Sequence, residues 1–239
     1  MERTQIVDNP FKELTEALGY EDYFRNRIID PYIFCFEYAY TLDPHDPVEP
    51  VKLIHDTDYT RAYVKFWLEN PNLLLVKSRQ MMITWLTVAL NLWLAMTQEG
   101  QYIFFISKKE DDANFSSQLS LLSRAYFIYN HLPKELKIRV HKKEQPAMLQ
   151  FPNKNSTIHG VSQDSDALRQ YTTSSLFFDE MAFQENSEKS FASIKPTLDG
   201  YKRIIMAAGH RLVLPKFCGV STPNGKRNLF AQLVHDEST

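Results

Sequence analysis

Three short segments of this chain combine residue types that can bind and hydrolyse a phosphate anhydride. The first, KSRQMMIT at residues 77–84, follows an apolar run at 73–76. A buried strand, a tight turn and a helix N-terminus in this order would aim backbone N–H groups at an anion. Lys77 and Arg79 could add positive charge, and Thr84 could offer a hydroxyl to Mg²⁺. The glycines and terminal lysine of the usual G-x-x-x-x-G-K-[ST] are missing, so this segment alone favours an ordinary strand–turn–helix with two solvated basic residues.

The second segment places two adjacent carboxylates, Asp179 and Glu180, directly after the apolar run at 176–178. In an open parallel sheet, ligands bind at the carboxyl ends of the strands. Asp179 could then hold Mg²⁺ through water, and Glu180 could orient and polarise an attacking water. The alternative is that the two acids cap a following helix.

The third segment, GVSTPNG at 219–225, ends a predicted strand in two hydroxyls, Ser221 and Thr222, before a turn. These groups could hydrogen-bond a γ-phosphate or relay its presence, or they could belong to a plain β-turn. The three segments occur in the order used by P-loop ATPases that carry a catalytic glutamate. Together they therefore favour ATP hydrolysis more strongly than any one of them alone.

The same three segments resemble motifs of the phage large terminase subunits, which are DNA-packaging motors. Residues 77–84 resemble the deviant Walker A loop of that family, and FFDE at 177–180 resembles its Walker B strand with the catalytic glutamate. STPNG at 221–225 resembles its coupling motif. The likeness covers about residues 55 to 235 and indicates the N-terminal ATPase domain of such a subunit.

The resemblance implies roles for further residues. Arg169, ten residues before Asp179, matches an arginine finger that reaches a neighbouring subunit's nucleotide, although Gln170 replaces the family's glycine. Tyr59 lies in the segment that reads adenine, where Thr60 replaces a frequent glutamine. The catalytic residues implied are Glu180 and Arg169, and the metal ligands are Thr84 and Asp179. Nucleotide binding is implied for Lys77, Ser78, Arg79, Gln80, Met81, Met82, Ile83, Thr84, Tyr59, Ser221 and Thr222.

Two positions depart from the family's loop. Met82 stands where glycine is usual, which removes the residue best suited to a positive φ. Ile83 stands where a lysine often lies, which makes Lys77 the best candidate for the phosphate-binding lysine and Arg79 the second.

Cofactors and partners follow from the resemblance as well. It implies ATP and Mg²⁺ as cofactors, and double-stranded DNA, the portal protein of a procapsid and a small terminase subunit as partners. It also implies a homo-oligomeric ring when assembled, a monomer in isolation, and action in the host cell cytoplasm.

Composition narrows the class of protein. The 239 residues are 44% hydrophobic and 23% charged, as in an ordinary globular protein. No apolar run approaches the roughly 20 residues that span a bilayer. The formal net charge of −2 argues against a tight autonomous DNA binder, and two cysteines form no disulfide framework.

The pattern of elements predicts an α/β fold. Apolar runs at 73–76, 102–106, 176–178 and 217–220 alternate with helical patterns at 58–70, 84–96 and 110–129. This alternation predicts a P-loop NTPase core of the RecA-like (ASCE) type, with a mainly parallel sheet flanked by helices and a small helical N-terminal segment. A hairpin is expected at 148–161, whereas residues 201–214 fit either strand or helix.

We expect residues 1–55 to form a helical lid or preface, 56–235 the motor domain, and 236–239 the start of a linker to an absent C-terminal nuclease domain. This division predicts no nuclease activity. Two other functions stay open from the sequence: a helicase-type nucleic-acid translocase, and a non-catalytic nucleotide-binding docking module whose phosphate loop has decayed.

Overall fold

The computed structural model describes residues 26–79, 81–162, 172–185, 187–188, 191–192, 196, 198, 200–201 and 203–235. Arg169, Gln80, the linker predicted at 236–239 and most of the predicted N-terminal segment lie outside these residues.

The described part of the chain contains one large sheet and two hairpins. The strands are β1 (Tyr40–Leu42), β2 (Val51–Leu53), β3 (Asn72–Val76), β4 (Tyr102–Ser107), β5 (His141–Glu144), β6 (Ala147–Phe151), β7 (Ser156–Ser162), β8 (Ser175–Asp179), β9 (Arg203–Ala207), β10 (His210–Leu214) and β11 (Lys216–Ser221). The helices are α1 (Pro31–Ile33), continued by a π-helix (Phe34–Tyr38), α2 (Asp58–Glu69), α3 (Ile83–Thr97), α4 (Glu110–Ala113), α5 (Leu121–His131) and α6 (Leu229–His235).

The large sheet has seven strands in the order β3-β11-β8-β4-β7-β6-β5. The strands from β3 to β7 in this order are parallel, and β6 and β5 extend the edge as antiparallel strands. The prediction of a mainly parallel sheet is therefore confirmed, as is the hairpin, which consists of β6 and β7. The ambiguous stretch at 201–214 is a second hairpin, because β9 and β10 pair antiparallel.

Helix α3 is the central helix of the fold. Its residues from Trp85 to Met96 are all buried, because the sequence is apolar on every face rather than on one stripe. Helix α2 is tied to it by the Tyr63 hydroxyl, which lies 2.6 Å from Thr87 Oγ1 of α3 and 3.3 Å from Cys218 Sγ of β11. This contact joins two helices and a strand of the sheet below the site described next.

A buried lysine fixes the far end of α2. Lys216 is 1% exposed, and its ammonium donates to the carbonyls of Trp67, Leu68 and Asn70 at 2.6, 3.0 and 2.9 Å. The last carbonyls of a helix have no partner within the helix, so this side chain satisfies them. Burial lowers the pKa of Lys216 to about 7.

The prediction of one long helix at 110–129 is wrong. The chain forms α4, leaves helical geometry at Asn114, and begins α5 only at Leu121. Asn114 Oδ1 accepts from the Ser116 N–H at 2.7 Å, and Ser120 Oγ donates to the Asn114 carbonyl at 2.6 Å. Short polar side chains that hydrogen-bond to nearby backbone groups in this way compete with the hydrogen bonds of a helix. The spacing of apolar residues, on which the prediction was based, gives no sign of this competition.

Candidate active site

The three segments meet at one edge of the sheet. They follow β3, β8 and β11, and β11 lies between the other two strands with parallel pairing on both sides. The carboxyl ends of parallel strands lie on the same edge, and the Lys77 N–H there donates to the Ser221 carbonyl at 3.0 Å. The first and third segments are therefore joined through their backbones.

An ion pair connects the first segment with the second. Lys77 Nζ lies 3.0 Å from Glu180 Oε1. The Lys77 side chain is 8% exposed, whereas that of Glu180 is 38% exposed, so the carboxylate keeps access to solvent on one side. The cation that begins the loop and the candidate catalytic acid are thus direct partners.

The third segment holds the other oxygen of the same carboxylate. Glu180 Oε2 accepts from the Thr222 N–H at 3.3 Å and from Thr222 Oγ1 at 3.2 Å, and Ser221 Oγ lies 3.4 Å away. Burial alone would raise the pKa of Glu180, but the contacts with Lys77 and Thr222 hold that pKa below its usual value. Glu180 is therefore ionised at neutral pH.

Thr84 and Asp179 form the second contact between segments. Thr84 Oγ1 donates to Asp179 Oδ1 at 3.0 Å. Burial raises the pKa of Asp179, and the nearby Arg124 and the bond from Thr84 oppose that rise. A hydroxyl and a carboxylate are oxygen ligands that suit Mg²⁺, which keeps several waters and needs few protein ligands. The described residues contain no cluster of three or more His, Cys, Asp or Glu that would suit a metal held mainly by protein.

Met82 adopts the backbone geometry that the sequence led us to associate with glycine. Its φ is 58° and its ψ is 1°, in the left-handed region, and it is the N-cap of α3. The loop therefore turns at the position where the resembling family has glycine, although the residue carries a side chain. Glu180 also has a positive φ, 49°, where the chain turns out of β8.

The other loop residues differ in exposure. Ser78 and Arg79 are exposed, Met81 and Met82 are partly buried, and Ile83 is 2% exposed. The Ile83 side chain belongs to the core, so only its backbone is available to a ligand. Arg79 lines a cavity of about 460 Å³ that Asp179, Glu180 and Thr222 also line.

The two residues of the predicted adenine-reading segment are placed differently. Tyr59 is 42% exposed, and its hydroxyl lies 3.5 Å from the Met81 carbonyl of the loop. Thr60 is fully buried, and with Thr57 it forms the capping box of α2. Thr60 therefore has a structural role at the N-terminus of α2, and Tyr59 is the residue of the two that could meet a base.

Sequence reasoning missed the residues that support the turn after β8. Gln184 Nε2 donates to the Asp179 carbonyl at 2.9 Å, the Ala182 N–H donates to Ser221 Oγ at 3.1 Å, and Asn224 Nδ2 donates to the Ala182 carbonyl at 3.0 Å. Only Asn224, within the Pro-Asn-Gly turn, carried a sequence signal. It also missed Arg124 of α5, which lines the cavity beside Asp179.

Solved structures with the same architecture identify the fold. No sequence family and no curated protein matches the chain. The large terminase of bacteriophage HK97 superposes with a TM-score of 0.64 at 12% identity, over 88% of this chain. The fold is that of phage large terminase ATPase domains. The resemblance drawn from the motifs is thereby confirmed at the level of fold, a P-loop NTPase-like one.

Two further structures agree with this assignment. The large terminase ATPase domain of Thermus phage P74-26 gives a TM-score of 0.52 at 18% identity, and a point variant of that domain gives 0.56 at the same identity. Each comparison covers 74% of this chain and 68% of the other. The chain spans only 40% of the length of the HK97 protein.

No helix among the described residues is both long and apolar enough to cross a bilayer.

Proposed function

We propose that this chain is the ATPase motor domain of a viral large terminase, which hydrolyses ATP to drive double-stranded DNA into a procapsid. The observation that carries the proposal is the double contact at the sheet edge, Lys77 with Glu180 and Thr84 with Asp179, within a terminase ATPase fold. These four residues come from the loop and the strand end that the motifs single out.

Phosphate binding is assigned to the loop from Lys77 to Thr84. Lys77 and Arg79 supply positive charge, and backbone N–H groups are assigned to Ser78, Gln80 and Met81 of the loop and to Met82 and Ile83 at the start of α3. The positive end of the helix dipole reinforces them, since α3 begins at Ile83. Tyr59 is assigned to the base, which would lie against the exposed end of α2.

Glu180 is assigned the role of orienting and polarising the attacking water. Its carboxylate is ionised and partly exposed, and Lys77 and Thr222 hold it in place. A bound phosphate would compete for Lys77, and losing this partner would raise the pKa of Glu180 and make it a better base. Ser221 and Thr222 would sense the same event, which fits a coupling role.

Thr84 and Asp179 are the residues that would hold Mg²⁺. When bound, the ion would neutralise charge on the β- and γ-phosphates. Their hydrogen bond keeps the Thr84 and Asp179 oxygens 3.0 Å apart, so both are available at the same place in the site. Arg169 is proposed as the finger supplied to a neighbouring subunit's nucleotide.

The wider assignments are proposals of the same kind. They comprise a preface segment at 1–55, which contains the β1–β2 hairpin as well as helix and is therefore not wholly helical, the motor domain at 56–235, the linker from 236, a homo-oligomeric ring, the portal and small-terminase partners, and action in the host cytoplasm. The alternative of a decayed docking module is disfavoured, because Met82 keeps the glycine-like turn and both acids keep their partners. Strand separation by this chain would favour the helicase-type alternative.

The test is Glu180→Gln in a steady-state ATPase assay with the assembled motor, prohead and DNA. We expect turnover to fall about a hundredfold or more, the usual effect of removing a positioned general base. Glu185→Gln is the matched control, because Glu185 is 82% exposed and contacts Lys108 only at 3.7 Å. Near-normal turnover of the Glu180 variant would contradict the assignment.

A further inference from the structure

A second arginine lies inside the candidate cleft. Arg124, on the first turns of α5, lines the same cavity of about 460 Å³ as Arg79, Asp179, Glu180 and Thr222. It belongs to a helix that packs against α3, the helix that begins at the end of the loop. Because Arg124 lines the cleft of its own chain, it is placed to act on the nucleotide bound there.

The guanidinium of Arg124 is held from behind. Its Nε donates to the Leu119 carbonyl at 2.7 Å, and its Cζ lies 5.1 Å from the ring centroid of Trp85. Trp85 is 7% exposed and directly follows Thr84, which bonds Asp179. These contacts fix the cation beside the proposed Mg²⁺ ligands while using only one of its five N–H donors.

Within the described part of the chain, the terminal amino groups of Arg124, which lines the cleft, have no hydrogen-bond partner. Among the residues that the structure describes, the only hydrogen bond that the Arg124 side chain donates is the one to the Leu119 carbonyl. None of the ion pairs within 4.0 Å in this part of the chain includes Arg124. Its charge nevertheless opposes the rise that burial causes in the pKa of Asp179, so the two groups are near but separated.

Such a separation leaves room for an anion. An arginine that was only balancing Asp179 would gain most from direct contact, as other arginines do with carboxylates. Lys77 already forms an ion pair with Glu180, which a phosphate would have to replace. Arg124 forms no ion pair among the described residues, so it can bind an anion without losing one. A planar fork with free N–H groups matches the oxygens of a terminal phosphate.

Building on the proposed function, we infer that Arg124 binds the terminal phosphate of the Mg²⁺–nucleotide in cis. It then distinguishes a triphosphate from a diphosphate, because the γ-phosphate is the group that extends toward Glu180 and the attacking water. Its hold on the γ-phosphate would add to that of Lys77 and Arg79, which approach from the loop.

The test compares the affinities of the isolated chain for MgATP and MgADP, measured at equilibrium with fluorescent nucleotide analogues. For Arg124→Gln we expect MgATP affinity to fall about tenfold to a hundredfold, the range for losing hydrogen bonds to a charged group, while MgADP affinity changes less than about twofold. Arg124→Lys keeps the charge and the stem over Trp85 but not the fork, so it should lie between the two. Arg211→Gln, on the exposed side of hairpin β9–β10, is the matched control and should match the unsubstituted chain.

The outcomes separate the two proposals. Equal loss for both nucleotides, or no loss, in folded Arg124 variants would overturn the inference while leaving the proposed function intact. If Arg124→Gln does not fold, as judged by its melting curve, the Arg124→Lys variant decides in the same way. Failure of the unsubstituted chain to bind either nucleotide would instead overturn the proposed function and this inference with it.

Discussion

Met82 shows how a single residue can keep a loop's shape while changing its chemistry. A non-glycine residue with φ near 58° is strained by roughly 1 kcal/mol or more. Met82 offsets part of that strain, because its side chain packs against the hydrophobic core. The loop thus replaces the conformational freedom of glycine with an apolar contact.

This balance predicts the response to substitution at Met82. Met82→Gly should keep nucleotide binding within a few-fold, since it relieves the strain and loses only a partly buried side chain. Met82→Val should weaken MgATP binding about tenfold, because a β-branched residue resists a positive φ more strongly. Equilibrium titration of the two variants checks this, and equal affinities would show that the turn is not needed for binding.

The Lys77–Glu180 pair predicts an effect on affinity that is separate from the effect on turnover. Nucleotide binding must draw Lys77 away from Glu180, so removing that competitor should favour the bound state. We expect Glu180→Gln to bind MgATP several-fold more tightly than the unsubstituted chain, although it hydrolyses it more slowly.

The measurement is a titration with MgATP under conditions where no turnover occurs in the variant, with Glu185→Gln beside it. The Glu185 variant should match the unsubstituted chain, since its carboxylate lies outside the pair with Lys77. An unchanged or weaker affinity for Glu180→Gln would mean that Lys77 keeps its partner when nucleotide binds, or that it does not bind phosphate.

At the scale of elements, the position of α4 depends on one glycine of strand β7. A Cβ built on Gly160 would lie 2.4 Å from the Ala113 carbonyl oxygen of α4 and 2.9 Å from Leu122 Cδ1 of α5. The backbone of α4 cannot move aside as easily as the end of a flexible side chain. The absent side chain therefore lets both helices approach the sheet beside the cleft.

Gly160→Ala should lower the free energy of unfolding by about 3 kcal/mol, at the upper end of the usual cost of overpacking. Gly219→Ala on β11 is the comparison, because the atoms its Cβ would crowd are flexible side-chain ends, Leu74 Cδ2 and Met181 Sδ, both at 2.8 Å, and Phe217 Cζ lies at an ordinary 3.8 Å. We expect the Gly219 variant to lose about 1 kcal/mol in chemical denaturation. A larger loss at Gly219 than at Gly160 would contradict this account.

The elements that could be predicted are those with a local signal. The strands at 73–76, 102–106, 176–178 and 217–220 lie within one or two residues of the observed bounds, because each is a continuous apolar run between turn residues. The rule that ligands bind at the carboxyl ends of such strands then placed Asp179, Glu180 and Ser221 on one edge without knowledge of their contacts.

What could not be predicted depends on contacts between distant residues. Lys77 and Glu180 are 103 residues apart, and their pairing follows from the order β3-β11-β8, which no local pattern specifies. Lys216 reads as a polar residue before a strand, yet it is buried because the end of α2 lies over it. Arg124 carries no signal at all, since only the packing of α5 on α3 turns it toward the cleft.

At the scale of the whole molecule, the sheet joins the site to parts of the chain far from it. Strand β4 lies between β8, which carries the acids, and β7, which carries His159. The His159 ring stacks on Phe104 of β4 with centroids 5.0 Å apart, and the residue is 7% exposed. The protonation of one buried ring is therefore coupled to the stability of the sheet that holds the site.

The sign of this coupling follows from the pKa of His159, which burial lowers from 6.5 to about 4. Below pH 6.5 the unfolded chain takes up a proton at this residue that the folded chain does not, so the folded state loses stability as the pH falls toward 4. The full loss attributable to His159 is about 3 kcal/mol.

His159→Phe keeps the stacking but cannot titrate, so the variant should lose about that much less stability than the unsubstituted chain between pH 6.5 and 4 in urea denaturation. Subtracting one pH profile from the other cancels the contribution of every other group that titrates in both chains. Parallel profiles would contradict this account, because they would show that His159 is protonated in the folded state or that its burial is relieved before the sheet unfolds.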